Sequence, residues 1–274
     1  MGCSTRRTRN DKLTGRSFIV KRTHTLALTL LFVFLGIAID AFPQNRIGDW
    51  QSYTQMLSVR GIAAAGDTIY AATTGGLLVF DPATETFSQV TNMEGLSHTN
   101  LNDITVDQNG RYWLATGPPD GDINIWEPGS GVYDVITLGD QSSTISSNKL
   151  TVYQNRIFGS ATRDVNPIVI EYEQQESGEY FYRDFYEQFP DAVGAINNLT
   201  VFDDRIYLTT DVGLVRSLPL SENPNLKTPG AWDLLDLGAF GNELTAIDHT
   251  ENGVYFSESG ALWFYDSNTL QEVE

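Results

Sequence analysis

Residues 101–126 read LNDITVDQNGRYWLATGPPDGDINIW. Two short runs of alternating apolar and polar residues, Ile104–Val106 and Tyr112–Ala115, flank Asn109–Gly110, a dipeptide that suits a tight hairpin because both residue types tolerate positive φ. A second turn sequence, GPPDG at 117–121, leads into a third apolar run, INIW. The stretch therefore predicts three β-strands that meander through one unit.

Copies of this unit recur along the chain. The second strand of each copy carries an aromatic residue, and successive aromatics are roughly 40 to 50 positions apart, a period typical of β-propeller blades. They are Tyr70, Trp113, Phe158, Tyr207 and Tyr255. The pattern alternates with period 2 and is rich in Val, Ile, Thr and aromatics, which excludes helical repeats. The sequence predicts an all-β propeller of four-stranded antiparallel blades.

Five blade units are predicted within a propeller domain over 42–274. They span about 59–90, 101–136, 150–185, 199–235 and 244–274. A closing strand is predicted at 48–53, where GDWQSY resembles the fourth strand of a blade. With this strand, the chain has more fourth strands than it has sets of first, second and third strands. A closed ring needs equal numbers of the two. We therefore expect an incomplete ring, with the chain a fragment of a longer protein and two blade faces uncovered.

The N-terminus predicts an export signal. Basic residues are spread through 1–25, an apolar run covers Leu26–Ile39, and a small residue follows at Ala41, which together predict a Sec signal peptide over 1–41. The alternative is a permanent anchor, but a spanning helix needs about 20 apolar residues. We expect a mature chain without a stable membrane span, in the periplasm, at the outer-membrane surface or secreted. Cys3 precedes the apolar run, so neither a lipid anchor nor a disulfide is expected.

The protein is strongly acidic, with a net charge of −18 over 274 residues. Loss of the basic leader makes the mature chain more acidic still. Such a surface repels phosphate backbones, which argues against nucleic acid as a partner. We interpret the charge as a source of solubility outside the cell.

No motif of the mature chain predicts catalysis, a metal or a cofactor. Only His98 and His249 remain after removal of the leader, and without cysteine they do not make a usual zinc or iron set. Asp120–Asp122 is interpreted as a turn, since it lacks the ligand series of a calcium loop. Glu171 and Glu173 alternate with a tyrosine, which predicts a solvated strand face.

A binding site is expected on the face formed by the loops between the second and third strands and by the connections between blades. Its candidate residues are Arg163, Asp164, Asn166, His98, Asn100 and Asp120. Arg163 is the first candidate for an anionic or polar ligand, because it is one of few cations in an acidic protein. The four tryptophans at equivalent strand positions are instead predicted to pack between blades. They are Trp113, Trp126, Trp232 and Trp263.

Two stretches resemble known families. Residues 94–116 resemble the propeller repeat of two-component-regulator ectodomains. That repeat has the sequence GLS, then an Asp-x-x-Gly turn, then a strand that contains Trp and ends in Gly-Thr or Ala-Thr. Only the second unit of this chain has the whole motif. Ile47–Tyr53 together with Ile69–Asp81 is similar to the N-terminal propeller of PorZ-like proteins of Bacteroidetes.

The PorZ-like resemblance implies a non-enzymatic cell-surface module of type IX secretion, which helps to hand anionic lipopolysaccharide to a sortase. Its expected partners are other envelope proteins of the secretion machinery or an anionic surface polysaccharide. The first alternative is a polysaccharide-sensing periplasmic ectodomain of a hybrid two-component histidine kinase. The second is a propeller lyase or glycosidase, which would need clustered His or carboxylate side chains on the central channel.

Overall fold

The structure, a computed structural model, describes residues 54–138, 143–190, 192–238 and 243–273. Five antiparallel sheets of four strands each fill these ranges. Three short 3₁₀ helices accompany them, at Asn92–Glu94, Leu220–Glu222 and Pro229–Ala231. Within the same ranges, no helix has the length and apolar character that crossing a membrane requires.

The strands follow one another blade by blade. Blade 1 comprises β1 (Val59–Ala65), β2 (Thr68–Thr73), β3 (Gly76–Asp81) and β4 (Thr86–Val90). Blade 2 comprises β5 (Leu101–Val106), β6 (Tyr112–Thr116), β7 (Ile123–Glu127) and β8 (Gly131–Ile136). Blade 3 comprises β9 (Ile145–Tyr153), β10 (Arg156–Arg163), β11 (Asn166–Gln174) and β12 (Tyr180–Tyr186). Blade 4 comprises β13 (Ile196–Phe202), β14 (Arg205–Thr210), β15 (Gly213–Ser217) and β16 (Trp232–Leu234). Blade 5 comprises β17 (Leu244–Thr250), β18 (Gly253–Glu258), β19 (Ala261–Tyr265) and β20 (Leu270–Val273).

Each blade is a meander in which strands adjacent in sequence are adjacent in the sheet. The first strands of consecutive blades pack on one another, β1 on β5, β5 on β9, β9 on β13 and β13 on β17. The first strand of every blade therefore lies innermost and the fourth lies at the rim. The predicted β-propeller, with five four-stranded blades, is confirmed.

The aromatic residue of each second strand explains the repeat period. Tyr70 of blade 1 shares an apolar cluster with Tyr112 of blade 2, their ring centroids 4.2 Å apart. Trp113, Phe158 and Tyr207 occupy the corresponding clusters between blades 2 and 3, 3 and 4, and 4 and 5. Since one such residue is buried at each of these interfaces, the spacing of the aromatics is the spacing of the interfaces.

The tryptophans lie between blades, as predicted. Trp113 is fully buried, and Trp263 is partly buried against the cluster between blades 4 and 5. The ring pairs across interfaces are Trp113 with Tyr172 at 5.3 Å, Trp126 with Tyr70 at 5.8 Å and Trp232 with Tyr186 at 6.3 Å. Their apolar area stabilises the stack of blades, so a ligand is not needed to account for them.

Asp107, directly after β5, organises the hairpin that carries the most complete repeat motif. Its Oδ1 accepts the backbone N–H groups of Asn109 at 2.8 Å and Arg111 at 3.0 Å, and its Oδ2 accepts the indole N–H of Trp113 at 3.0 Å. Gly110 donates its N–H to Asp107 O at 3.0 Å and is the turn residue at positive φ. The predicted hairpin around Asn109–Gly110 is confirmed, although only the second of these two residues has the positive φ that was expected of both. The Asp107 carboxylate stabilises the β-turn from Asp107 to Gly110.

The first and last blades expose apolar side chains on the faces turned away from their neighbours. Ile62 and Phe87 of blade 1 are 66% and 67% exposed, and Leu262 of blade 5 is 43% exposed. On the same face of blade 5, Tyr255 packs against Phe264 with ring centroids 4.8 Å apart. Incompleteness of the ring itself stays a prediction.

Two blades begin earlier than the predicted units. β9 starts at Ile145 and β13 at Ile196, before the expected positions 150 and 199, because their polar first halves show no apolar alternation. The predicted signal peptide at 1–41 and the predicted closing strand at 48–53 lie outside the described residues.

Candidate binding face

One end of the propeller is formed by the loops between second and third strands together with the connections that enter each first strand. In four blades the residue that follows the second strand donates its backbone N–H to the carbonyl that directly precedes the first strand of the same blade. These bonds join Thr74 to Ser58 at 3.2 Å, Gly117 to Asn100 at 3.0 Å, Asp164 to Thr144 at 2.7 Å and Asp211 to Ala195 at 3.3 Å. Because each connection is tied to a hairpin of its own blade, this face is preorganised.

The connection into blade 2 places His98 beside two carboxylates. Ser97 donates its N–H to Asn124 Oδ1 at 2.8 Å, and the Asn124 amide donates back to Ser97 Oγ at 3.0 Å. His98 Nε2 then lies 3.4 Å from Asp120 Oδ2 and 3.9 Å from Asp122 Oδ2. The structure thus brings the candidates His98 and Asp120 together, and it adds Asp122.

The sequence indicates only a turn at Asp122. In the structure this residue is almost fully buried, and its Oδ1 has no hydrogen-bond partner among the described residues. The alternation Asp-Gly-Asp is the signal that could have identified it, because Gly121 turns both carboxylates toward one loop. Across the described ranges, no group of three or more His, Cys, Asp and Glu residues is arranged to hold a metal ion.

The second set of candidates lies at the end of the β10–β11 hairpin. Asp164 has a positive φ of 57°, and its Oδ1 accepts the N–H of Thr144 at 3.0 Å, so this carboxylate shapes the loop. Arg163 Nη2 is 2.6 Å from Glu187 Oε2. Asn166 is paired with Arg163 across the hairpin and is exposed.

The two sets of candidates belong to one continuous surface. Ile145 donates its N–H to Pro119 O at 2.8 Å, and Ser147 Oγ donates to Gly121 O at 2.6 Å. Thr144, one residue earlier, is hydrogen-bonded to Asp164. The connection into blade 3 therefore joins the loop that carries Asp120 to the loop that carries Arg163.

Each innermost strand has a β-bulge near its start, which the sequence does not predict. The bulged residue is polar in every blade. These residues are Arg60, Asn102, Asn148, Asn197 and Thr245. Since a bulge redirects a side chain and stops regular pairing, each innermost strand contributes one polar residue near its start to this face.

Two of the bulged asparagines tie neighbouring blades together. Asn102 Nδ2 donates to Ser147 O, and Asn197 Nδ2 donates to Leu244 O, each at 2.8 Å. Both acceptors directly precede the bulged residue of the following blade. The repeat of this bond shows that these two asparagines have a structural role.

A buried acid joins the first three blades near the axis. Asp103 Oδ2 accepts the N–H of Leu150 at 2.8 Å, and its Oδ1 is 3.5 Å from Lys149 Nζ. The same ammonium donates to Arg60 O at 2.8 Å. Burial raises the pKa of the Asp103 carboxyl above its usual value, an effect that the Lys149 charge opposes.

The prediction of a solvated strand face is wrong for Glu171. This residue is 1% exposed, and its carboxylate accepts a hydrogen bond from Tyr186 Oη. Glu171 Oε1 lies 3.5 Å from Arg156 Nε and 3.2 Å from Arg183 Nη1. Burial raises the pKa of Tyr186, and the acceptor Glu171 raises it further. Two guanidinium groups and a phenol account for the burial of this charge, which lies between blades 3 and 4.

The sequence matches no protein-family profile and no curated protein. Among solved structures, PorZ of Porphyromonas gingivalis, described as an essential bacterial surface component of the type-IX secretion system, aligns with a TM-score of 0.58 and 17% identity over 82% of this chain. The fold is a PorZ-like β-propeller. The chain spans 29% of the length of PorZ, and at this identity the similarity shows the fold.

Two further solved structures are similar to this chain. The extracellular domain of the putative hybrid two component system BT4673 from B. thetaiotaomicron aligns with a TM-score of 0.55 and 15% identity, over 78% of this chain and 33% of that one. YCF48 bound to D1 peptide aligns with a TM-score of 0.53 and 15% identity, over 78% of this chain and 66% of that one.

Proposed function

We propose that this chain is a non-enzymatic binding or scaffold module of a bacterial cell envelope, and that it serves as a PorZ-like component of type IX secretion and attachment machinery. The observation that carries the proposal is the preorganised polar face across blades 2 and 3, on a propeller of the PorZ-like fold. Binding residues are commonly held on loops that a rigid scaffold positions.

The proposed contact residues are the two sets joined by the connection into blade 3. They are His98, Asn100 and Asp120 in blade 2, and Arg163, Asp164 and Asn166 in blade 3. The partner is an envelope protein of the secretion machinery or an anionic surface polysaccharide. Acidic groups of the polysaccharide accept hydrogen bonds from Arg163, and its hydroxyl groups donate hydrogen bonds to the carboxylates beside His98. In this proposal the chain is exported through residues 1–41, which N-terminal sequencing of the exported protein tests.

Titration calorimetry with purified anionic surface polysaccharide of a Bacteroidetes bacterium tests the binding proposal. Saturable binding is expected, with a loss of about tenfold or more in Asp120→Ala and in Arg163→Gln, the size expected for one charge-assisted hydrogen bond. Asp67→Ala is the matched control, because it removes an exposed carboxylate in a β1–β2 turn. Absence of binding, together with absence of crosslinks to other secretion components in cells, would refute the proposal.

A ligand-sensing ectodomain is the second candidate, and the similarity to the BT4673 extracellular domain favours it. Such a sensor recognises an oligosaccharide by its hydroxyl groups, so neutral and acidic oligosaccharides would bind with similar affinity. A preference for the acidic form that disappears in Arg163→Gln supports the secretion module instead.

A further inference from the structure

A pocket of about 310 Å³ opens between blades 2 and 3, beside the apolar cluster that joins them. Its walls are almost entirely aliphatic and aromatic. The apolar lining residues include Ile136, Ile145, Ile168, Ile170 and Phe185. Volumes of this size are at the lower end for ligand pockets, which are typically apolar with a few polar groups that orient the ligand.

Arg163 supplies the charged group of this pocket. Its guanidinium carbon lies 4.9 Å from the centre of the Phe185 ring, so the cation rests on the aromatic wall. One terminal nitrogen, Nη2, is engaged by Glu187 at 2.6 Å. Glu187 is the only ion-pair partner of Arg163 in the part of the chain that the structure describes, and a guanidinium has five N–H donors.

We propose that this pocket binds a small amphiphilic carboxylate. Its apolar or aromatic body lies against Ile168, Ile170 and Phe185, and its carboxylate accepts hydrogen bonds from Arg163. A carboxylate is favoured for two reasons. The planar guanidinium can donate two parallel hydrogen bonds to the two carboxylate oxygens. The guanidinium also lies beside an apolar wall, which strengthens an ion pair between it and a carboxylate. The pocket shares Arg163 with the loop face proposed above but not Asp120, so Asp120→Ala is expected to weaken binding at the loop face and to leave binding in the pocket unchanged.

Glu187 competes with the ligand for the same guanidinium. Glu187 already engages Nη2 at 2.6 Å. Removal of the Glu187 charge therefore frees donors for the ligand, whereas removal of the Arg163 charge eliminates its anchor. The two substitutions have opposite effects on affinity, which neither adsorption to apolar surface nor loss of folding would produce.

The experiment uses 3-phenylpropanoate as the probe, followed by titration calorimetry and by ligand-observed saturation-transfer NMR on the full chain. Acetate and 3-phenylpropanol are the matched probes, since acetate lacks the apolar body and 3-phenylpropanol lacks the charge. We expect saturable binding of 3-phenylpropanoate, binding of the alcohol weaker by about tenfold, and no measurable binding of acetate.

Four variants test the assignment of the site. Arg163→Gln is expected to weaken binding about tenfold, and Glu187→Gln is expected to strengthen it severalfold. Ile136→Trp, at a partly exposed position on the pocket wall, is expected to abolish binding by filling the space. Lys227→Gln is the control for net charge: its ammonium lies 5.5 Å from the Phe185 ring, but it does not line the pocket, and no change is expected.

Equal binding of the acid and the alcohol would overturn the proposal. So would an unchanged affinity in both Arg163→Gln and Glu187→Gln, or the absence of saturable binding by the parent protein. Circular dichroism and the thermal transition of each variant show whether it is folded, and the opposite signs of the two charge substitutions keep the test decisive if Ile136→Trp is destabilised.

Discussion

Replacement of Asp107 by asparagine is the sharpest test of how the blade 2 hairpin is held. The Asp107 side chain is completely buried, and its two oxygens lie against four N–H groups. Oδ1 accepts two backbone N–H groups, and Oδ2 faces the Trp113 indole N–H at 3.0 Å and Arg111 Nε at 3.4 Å. Asparagine has nearly the same shape, but one of its two ends is itself a donor.

The expected cost follows from this count of donors. Whichever way the asparagine amide is turned, its NH₂ group faces two donors and leaves them unpaired. An unpaired buried donor costs about 1–3 kcal/mol, and a lost hydrogen bond to a charged group costs about 1.5–3 kcal/mol. We expect Asp107→Asn to lower the free energy of unfolding by about 2–4 kcal/mol, and Asp107→Ala by about 3–5 kcal/mol, since it also leaves Arg111 without its buried partner.

Urea unfolding followed by far-ultraviolet circular dichroism measures this loss, and tryptophan fluorescence reports on Trp113 directly. Asp81→Asn is the matched control. Asp81 likewise accepts a turn N–H, from Ala83 at 2.8 Å, but it is exposed to solvent, so water replaces what is lost and the change is expected to be much smaller. Equal losses in Asp107→Asn and Asp81→Asn would refute the reasoning, because burial would then have no effect.

The buried polar groups at the blade interfaces give three further predictions. Because burial raises the pKa of the Asp103 carboxyl, the native state keeps this proton to a higher pH than the unfolded state does. The free energy of unfolding therefore falls as the pH rises from the ordinary pKa of Asp through the raised one. Denaturation curves measured across this pH range are expected to lose that fall in Asp103→Asn. Tyr186→Phe leaves the buried Glu171 without its phenol donor, and a loss of about 1.5–3 kcal/mol in urea unfolding is expected; a loss near zero contradicts a buried charge at Glu171. Asn197→Ala removes the hydrogen bonds from Nδ2 to Leu244 O and Glu243 Oε1. Asn102→Ala removes those from Nδ2 to Ser147 O and Ser146 Oγ and also the one that Oδ1 accepts from Arg60. Losses of about 1 kcal/mol or more are therefore expected in urea unfolding, the larger one in Asn102→Ala, and a larger loss in Asn197→Ala would contradict this count of contacts.

Most of the fold could be predicted from the sequence because the signals that carry it are local. The aromatic of every second strand recurs with the period of a blade, and Trp113 with its turn is recognisable without any long-range contact. The predicted strand limits are close where apolar alternation is regular, as in β5 to β8. They are late in β9 and β13, where polar residues such as Ser146 and Asn148 extend the strand.

The candidate site was less accessible from sequence. The residues His98 and Asp120 are both candidates from sequence, yet their contact depends on how the connection into blade 2 folds over the next hairpin. The burial of Asp122 in the β6–β7 loop and of Glu171 in β11 could not be predicted, because a carboxylate in a turn or in an alternating strand has the same local pattern whether it is exposed or buried. The polar bulges escaped prediction for a similar reason, since one inserted residue leaves no periodic signal.

By itself the sequence determined the class of fold, the five blade units and the residues that pack between them, because those follow from hairpin turns and from a repeated apolar pattern. Only the tertiary structure decided which polar groups meet. Lys149 of blade 3 donates a hydrogen bond to the Arg60 carbonyl of blade 1 and pairs with Asp103 of blade 2. The Arg163 guanidinium packs on the Phe185 ring at the wall of a pocket between blades 2 and 3. Such contacts join residues of different blades or strands, and their geometry is set by how the blades stack around the axis, for which no single stretch of the chain holds the information.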